Sequence, residues 1–514
     1  MTYTRRNCFI SGLIGGGLMF CLSAILTYLL SPYLIKYIVS QRLILSSPTS
    51  DTYSGWKLAP IPIYVKFYFF NVTNPKEIIN GSEPILKELG PYTFLEVREK
   101  INVTWNHHDG LISYQQVARY HPIPEMTVGS LNDTIVHLNV PLAGMLNQAK
   151  RKADAMIYGF VEQVAVGNGD DLFLNHTASE LLFKGYHDEL LEFIEEAGLS
   201  PVRVSPFSFF GDRNNTNTDG SFTIYSGESG TLSQFGLLHS WNNEKQLNIW
   251  NDSKCNSFNS AWPGDLRPPY PSSDPEELYL FAPDLCRSLT LTYLSRRSTK
   301  GVDTIRYWLS PSLFDYNLDK NKCYCNGQSC PANGIFNISI CTHGSPASIS
   351  FPHYLFADPV YTKNIQGLHP DPEKHSFYMD IEPNLGVPVD TKARVQINMM
   401  LEKDDEIDFT SNLKASINLP IFWRETSATI SDDLISQLIL LQKHVPNIIT
   451  IATFTQVTIA VALMVVTLIF VLRMNTINEL VPRQSKPTRK PFRPTPTRPS
   501  KKAYKTVMTT SFES

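Results

Sequence analysis

The stretch NKCYCNGQSC, residues 321–330, brings Cys323, Cys325 and Cys330 within reach of one another. Sulfur at this spacing does one of two things. As thiolate it holds a soft metal, and Cys323, Cys325, Cys341 and His343 would supply four ligands for zinc, although the paired C-x2-C spacing of common zinc sites is missing. Oxidised, it forms disulfides. The redox compartment chooses between the two before geometry does. Catalytic signatures are absent: GESGT (227–231) lacks the second glycine of G-x-S-x-G, no H-E-x-x-H occurs, and GLIGGG (12–17) lies in an uncharged apolar run where it cannot cradle a phosphate. No catalytic residue, resident metal or cofactor is expected, and the chain is not expected to be an enzyme.

The compartment is set by the elements around the cysteines. Phe9–Leu30 and Ile448–Leu472 carry no charge over 22 and 25 residues. At about 1.5 Å per residue they reach roughly 33 and 37 Å, enough for a hydrocarbon core of about 30 Å. No small-x-small cleavage site follows the first run, so it reads as an uncleaved signal anchor. Arg5 and Arg6 precede it, and the tail from Arg473 holds ten Lys or Arg against Glu479 and Glu513. Both termini are therefore expected in the cytosol. Removing these +2 and +8 contributions from the overall −3 leaves −13 for residues 31–447, an acidic domain between basic tails. The predicted organisation is a cytoplasmic tail (1–8), a membrane helix (9–30), an exoplasmic domain (31–447), a second membrane helix (448–472) and a basic, Pro-rich cytoplasmic tail (473–514). Nothing in this pattern suggests nucleic-acid binding.

The sequons agree. Asn71, Asn80, Asn102, Asn132, Asn175, Asn214, Asn251 and Asn337 each begin N-x-Ser/Thr, all lie between the two spans, and they mark the domain as a glycoprotein. Cys255, Cys286, Cys323, Cys325, Cys330 and Cys341 lie on the same oxidising side, and an even count there reads as three disulfides. Cys8, at the inner face of the first span, is a candidate for palmitoylation.

Between the spans the chain is mainly strand. IPIYVKFYFFNV alternates, YTFLEVREKINVTW and LISYQQVARY flank the turn His108–Gly110 as a hairpin, and DTIRYWLS, ARVQINMMLE and LPIFW continue the pattern. Helical spacing interrupts it over Pro141–Val166, and a second helix is predicted over Thr177–Glu196 with Gly198 as its stop. The first carries Lys150, Arg151 and Lys152 away from its apolar stripe, either a solvated face or a contact for anionic ligands. Gly12 and Gly16 are spaced for close packing in the first span, with the second span as nearest partner.

Long segments resemble the class B scavenger receptors, a family that includes the fatty-acid translocase and lysosomal integral membrane protein type 2. They are RNCFISG, FFNVTNPKEIINGSEPILKELGPYTFLE (69–96), LFLNHTASELLFKGYHDELL (172–191), APDLCRSL (282–289), ISFPHYLFADP (349–359) and GLHPDPEKHSFYMDIEPNLGVPVDTKARVQINM (367–399). The resemblance covers nearly the whole chain. It implies a mainly β fold with α: an antiparallel β-barrel ectodomain, an apical helical bundle at about 141–198 and an internal hydrophobic tunnel, anchored by two membrane helices. It also implies the pairings Cys255–Cys323, Cys286–Cys341 and Cys325–Cys330. Two lysines tied to fatty-acid contact in the translocase do not carry over: Thr342 follows Cys341, and Val161–Asp171 contains no lysine. The lysosomal member's apical histidine has no counterpart between His137 and His176.

The implied function is a scavenger receptor that binds fatty acids, sterols, phospholipids, lipoprotein particles or other polyanionic ligands at its apex and passes lipid through the tunnel to the membrane. The alternative is an adhesion or cargo receptor, including one that sorts lysosomal enzymes, without lipid transfer. The plasma membrane is the expected site, with cycling to endosomes and lysosomes. In the tail, Tyr504–Val507 (YKTV) fits the clathrin-adaptor pattern, and Arg493–Pro499 (RPTPTRP) fits an SH3 ligand.

Overall fold

A computed structural model describes residues 3–152, 163, 167, 171–196, 205–269, 271, 273–325, 329–342 and 344–480, leaving aside the side chains of 3–5, 148–152 and 477–480. The chain divides into two compact units, Met1–Thr27 with Ala452–Ser514, and Tyr28–Ile451.

The first unit is built from parts of two helices, α1 (Tyr3–Leu43) and, at the far end of the chain, Val445–Leu480. Both are long and apolar enough to cross a membrane. The rings of Phe9 and Phe470 meet edge to face at 5.5 Å. A Cβ added at Gly17 would lie 3.5 Å from the Ala460 carbonyl and from Met464, and one at Gly16 3.5 Å from Leu463. Gly12 has nothing within 4 Å, so the close approach runs through Gly16 and Gly17 rather than through the Gly12–Gly16 pair. Small residues let two backbones come together where lipid offers no hydrophobic drive for association.

The second unit is an antiparallel sheet with helices inserted between its strands. The strands are β1 (Ile63–Val72), β2 (Leu86–Asn106), β3 (Leu111–Pro122), β4 (Thr134–Leu138), β5 (Phe173–Thr177), β6 (Ser221–Tyr225), β7 (Leu238–Trp241), β8 (Glu277–Ala282), β9 (Arg287–Thr299), β10 (Val302–Leu309), β11 (Ile335–Asn337), β12 (Ala347–Ser350), β13 (Tyr378–Glu382), β14 (Val387–Leu401) and β15 (Ile417–Thr429). In the main sheet the order is β7-β6-β3-β2-β1-β15-β14-β13-β10-β9-β8, with β11 and β12 branching from β14, while β4 and β5 pair separately. The predicted hairpin is present: β2 and β3 flank the turn at 107–110, where Gly110 takes φ +64°.

The main sheet is not closed into a barrel. No ladder joins β7 to β8 among the described residues. Ala261 and Trp262 stand in the gap instead: the Leu238 N–H donates to the Ala261 carbonyl, and Trp262 exchanges two backbone hydrogen bonds with Tyr279 and Phe281 on β8. The chain that follows carries Pro263, Pro268, Pro269, Pro271 and Pro275. Proline has no N–H to give a ladder, so this edge cannot be extended by regular pairing.

Two helices leave the strand pattern. α2 (Val140–Lys152) follows β4, and α3 (Glu189–Glu196) lies beyond β5. They share a small core of Leu142, Leu146, Leu190 and Ile194, closed by Ile407. The predicted second helix, Thr177–Glu196, is divided. Glu180–Lys184 forms a single π turn, Gly185 takes φ +80°, and Tyr186 exchanges backbone hydrogen bonds with Phe207. Asp188 then caps α3, accepting from the Leu191 N–H at 3.0 Å. The extended pairing at Tyr186 competes successfully with a helix because Gly185 adopts a backbone that other residues rarely take. The rest of the first predicted helix, 153–166, falls almost wholly outside the described residues.

Candidate functional site

On β2, residues Tyr92, Phe94, Glu96, Arg98 and Lys100 alternate onto one face. Register brings that face together with β1 and β15, where Phe67 lies opposite Arg424 and Phe69 opposite Phe422, and with β3, where Tyr120 lies opposite Glu96. This is the inner face of the sheet. Its first half is aromatic. Phe67 packs against Phe210 at 4.9 Å and Phe94 at 5.9 Å, Phe94 against Phe183 at 4.8 Å, and Phe422 against Phe209 at 4.9 Å. Phe183 comes from the π turn and Phe209–Phe210 from the segment beyond α3, so the helical insertion supplies half of the aromatic wall.

The second half is charged. Arg98 donates to Glu96 at 2.8 Å, and the Tyr120 hydroxyl donates to the same carboxylate at 3.0 Å. Arg213 donates to Asp284 at 2.5 Å and approaches Asp219 at 3.4 Å. Lys100 pairs with Asp265 at 2.9 Å and sits over the rings of Trp56 and Tyr114 at 5.2 and 5.6 Å. Arg424 lies 3.7 Å from Asp284 and 5.7 Å from the Phe210 ring centre, which joins the charges to the aromatic wall. Four cations thus stand among four anions, Glu96, Asp219, Asp265 and Asp284.

Burial alone would raise the carboxyls of Glu96 and Asp284, but Arg98 beside the first and Arg213 beside the second hold both below the usual range. Asp219 goes the other way: burial, then the nearby Asp284 charge, raise it above the usual carboxylate value. Arg98 and Asp284 are half-buried, each keeping 35% of its side-chain surface accessible.

The structure joins Cys255 to Cys323, Cys286 to Cys341 and Cys325 to Cys330, with Cα separations of 6.1, 6.1 and 5.1 Å. The sulfur atoms considered as zinc ligands are therefore all consumed; His343 lies outside the described residues. Among the sequons, Asn80, Asn102, Asn132, Asn175, Asn214 and Asn251 are exposed, while Asn71 and Asn337 are half-buried. The carboxamide oxygens of the last two accept backbone N–H groups of Val136 and Ser339. Cys8 is exposed. Lys150, Arg151 and Lys152 close α2, and their side chains, like Tyr504, Val507 and the rest of the tail beyond 480, lie outside the described residues.

The CD36 family profile matches residues 14–471, from within the first apolar helix to within the last. The chain belongs to the CD36 family. Among similar members, lysosome membrane protein 2 of Mus musculus is 34% identical over 403 residues, 78% of this chain and 81% of that protein. Scavenger receptor class B member 1 of Mus musculus is 30% identical over 476 residues, 91% of each. Lysosome membrane protein 2 of Homo sapiens is 32% identical over 404 residues, 78% of this chain and 81% of that protein. The relatives it matches along most of its length thus include a class B scavenger receptor and a lysosome membrane protein.

The charged half of the inner face was hidden from sequence reasoning. In FLEVREK the alternation separates two faces, but a strand with Glu96, Arg98 and Lys100 on one of them reads as polar side out. Here that side is the inner one.

Proposed function

We propose that this CD36-family protein is a scavenger receptor that captures lipids or lipoprotein particles and passes lipid through the inside of its sheet to the bilayer. In this reading residues 31–447 form the exoplasmic domain, both termini are cytosolic, and the helical insertion at about 141–198, with Lys150, Arg151 and Lys152, receives the ligand. The observation that carries it is one face of the sheet, where an aromatic wall adjoins a cluster of half-buried, paired charges. An apolar conduit lowers the main barrier to moving lipid, which costs about 0.8 kcal/mol per methylene exposed to water. The acidic domain between basic tails, the sequons and the three disulfides support an outward-facing receptor on the plasma membrane that cycles through endosomes and lysosomes.

Lipid transfer by the full-length protein reconstituted in liposomes tests this. Fluorescent sterol or phospholipid should move from bound particles into the bilayer faster than in protein-free liposomes. Particle binding with no acceleration of transfer would replace conduction by adhesion or cargo binding.

A further inference from the structure

We propose that the free edge of β9 at residues 294–299 is a docking site for an extended acidic segment of a partner protein, which pairs with it as an additional strand. The site uses neither the aromatic wall nor the helical insertion.

β9 outruns its neighbour. Over Leu291–Thr299 it pairs with β10, but its ladder with β8 stops at Thr292. One further bond on that side, from the Tyr293 N–H to the Glu276 carbonyl at 2.8 Å, ends the contact. Among the described residues, no backbone hydrogen bond runs from 294–299 to anything outside the β9–β10 ladder. An antiparallel strand turns the backbone groups of alternate residues towards each side, so half of the donors and acceptors here face outward. Tyr293 and Leu294 are 39% and 44% exposed, and Arg296, Arg297 and Ser298 are exposed beside them.

Folded proteins guard such edges with proline or with charge. The chain leading into β8 has its prolines; 294–299 has none, and holds Arg296 and Arg297 without an acid. The charges choose the occupant. Antiparallel self-pairing over the whole stretch would set Arg296 opposite Arg297 of a second copy, and like charges directly opposite destabilise a ladder. The same side chains favour a strand with carboxylates at the facing positions, so one feature repels a second copy and attracts an acidic segment. Arg296 already meets Asp274, and Lys300, just beyond the stretch, meets Asp432 at 3.1 Å. Arg297 has no ion pair among the described residues; its Nε reaches only the Ser295 hydroxyl, at 3.4 Å. It is the charge left over, in a domain that is acidic as a whole. Glycans leave the edge open. From 252 to 447 the one sequon is Asn337, on β11, so none of β8, β9, β10, β13, β14 and β15 carries one.

The test uses the full-length protein in detergent and a fluorescent peptide, acetyl-Thr-Val-Glu-Glu-Val-Thr-amide, followed by anisotropy. A second peptide has Lys in place of both Glu. Arg297→Glu is the informative variant, because Arg297 is exposed and no ion pair among the described residues is lost with it. Wild type should prefer the acidic peptide. The variant should bind it about fivefold or more weakly, the scale of exchanging an opposite-charge cross-strand pair for a like-charge one. It should also gain affinity for the Lys peptide, which shows at once that the variant is folded. N-methylation of both Glu amides keeps the charge and removes the N–H groups, and should abolish binding. An acidic peptide that does not bind, or that binds Arg297→Glu equally well, would overturn the proposal. So would an N-methylated peptide that binds like its parent, since the edge would then be a basic patch and not a strand template. Wild-type protein that sediments as a dimer disrupted by Ser298→Pro, which removes a ladder N–H, would give the edge to a second copy and overturn it too.

Discussion

Acid should weaken this domain through His137, and the size of the effect follows from the site. His137 is 3% exposed, on β4 immediately before α2. Its Nδ1 faces the Leu138 carbonyl at 2.7 Å, and a carbonyl only accepts, so Nδ1 carries the proton. Nε2 then accepts from Nδ1 of His176 at 2.9 Å. A second proton on His137 would sit on Nε2 against Nδ1 of His176, which can accept it only after moving its own proton to the other ring nitrogen. Burial, opposed only in part by the Leu138 hydrogen bond and aided by His176, pushes the ring down from 6.5 to about 4. The unfolded chain therefore takes up this proton first. Above pH 6.5 the folded state keeps its full advantage; between 6.5 and 4 it loses stability as the pH falls, by about 2 kcal/mol at pH 5. Thermal unfolding of the full-length protein at pH 7.5 and pH 5 measures the loss. His137→Gln removes the titrating ring while retaining a polar side chain, so its midpoint should drop less between the two pH values than that of the wild type. Equal drops would refute the reasoning, whatever the absolute midpoint of the variant.

Three further outcomes are expected. Converting Lys150, Arg151 and Lys152 together to alanine should weaken binding of anionic particles and flatten its salt dependence, because such attraction is screened over about 8 Å at physiological salt; transfer of free lipid should persist, and equal loss of both would join capture to conduction. Tyr504→Ala should raise surface abundance and slow internalisation if YKTV is read by clathrin adaptors, and unchanged uptake kinetics would dispose of the motif. Replacing Cys286 and Cys341 by serine should cost about 2–5 kcal/mol, seen as a lower unfolding midpoint, and non-reducing peptide maps of the wild type should yield the three bridges found here and no free thiol outside Cys8 and Cys21.

Much of the architecture was legible from local pattern. β1, β10, β14 and β15 fall where alternation placed them, and the β2–β3 turn sits at 107–110. Two apolar runs and the basic residues outside them fixed an expectation of compartment, which in turn favoured disulfides over zinc for Cys323 and its neighbours. These are properties of one segment at a time, and period or composition is enough to express them. The division of Thr177–Glu196 was not legible, because Tyr186 leaves the helix for a partner at Phe207, twenty-one positions along the chain.

The inner face belongs wholly to tertiary structure. Phe67 meets Arg424, and their neighbours Lys66 and Glu425 form an ion pair across 359 residues of sequence. No local window contains both partners. Alternation in FLEVREK marks two faces, but hydrophobicity along one strand says nothing about which face the rest of the chain will cover. The charges of Glu96, Arg98 and Lys100 are enclosed because other strands bring Tyr120, Arg424 and the loops carrying Arg213, Asp265 and Asp284 against them. A charge costs little in water and a great deal inside protein unless partners arrive with it, and only the folded chain decides which partners those are.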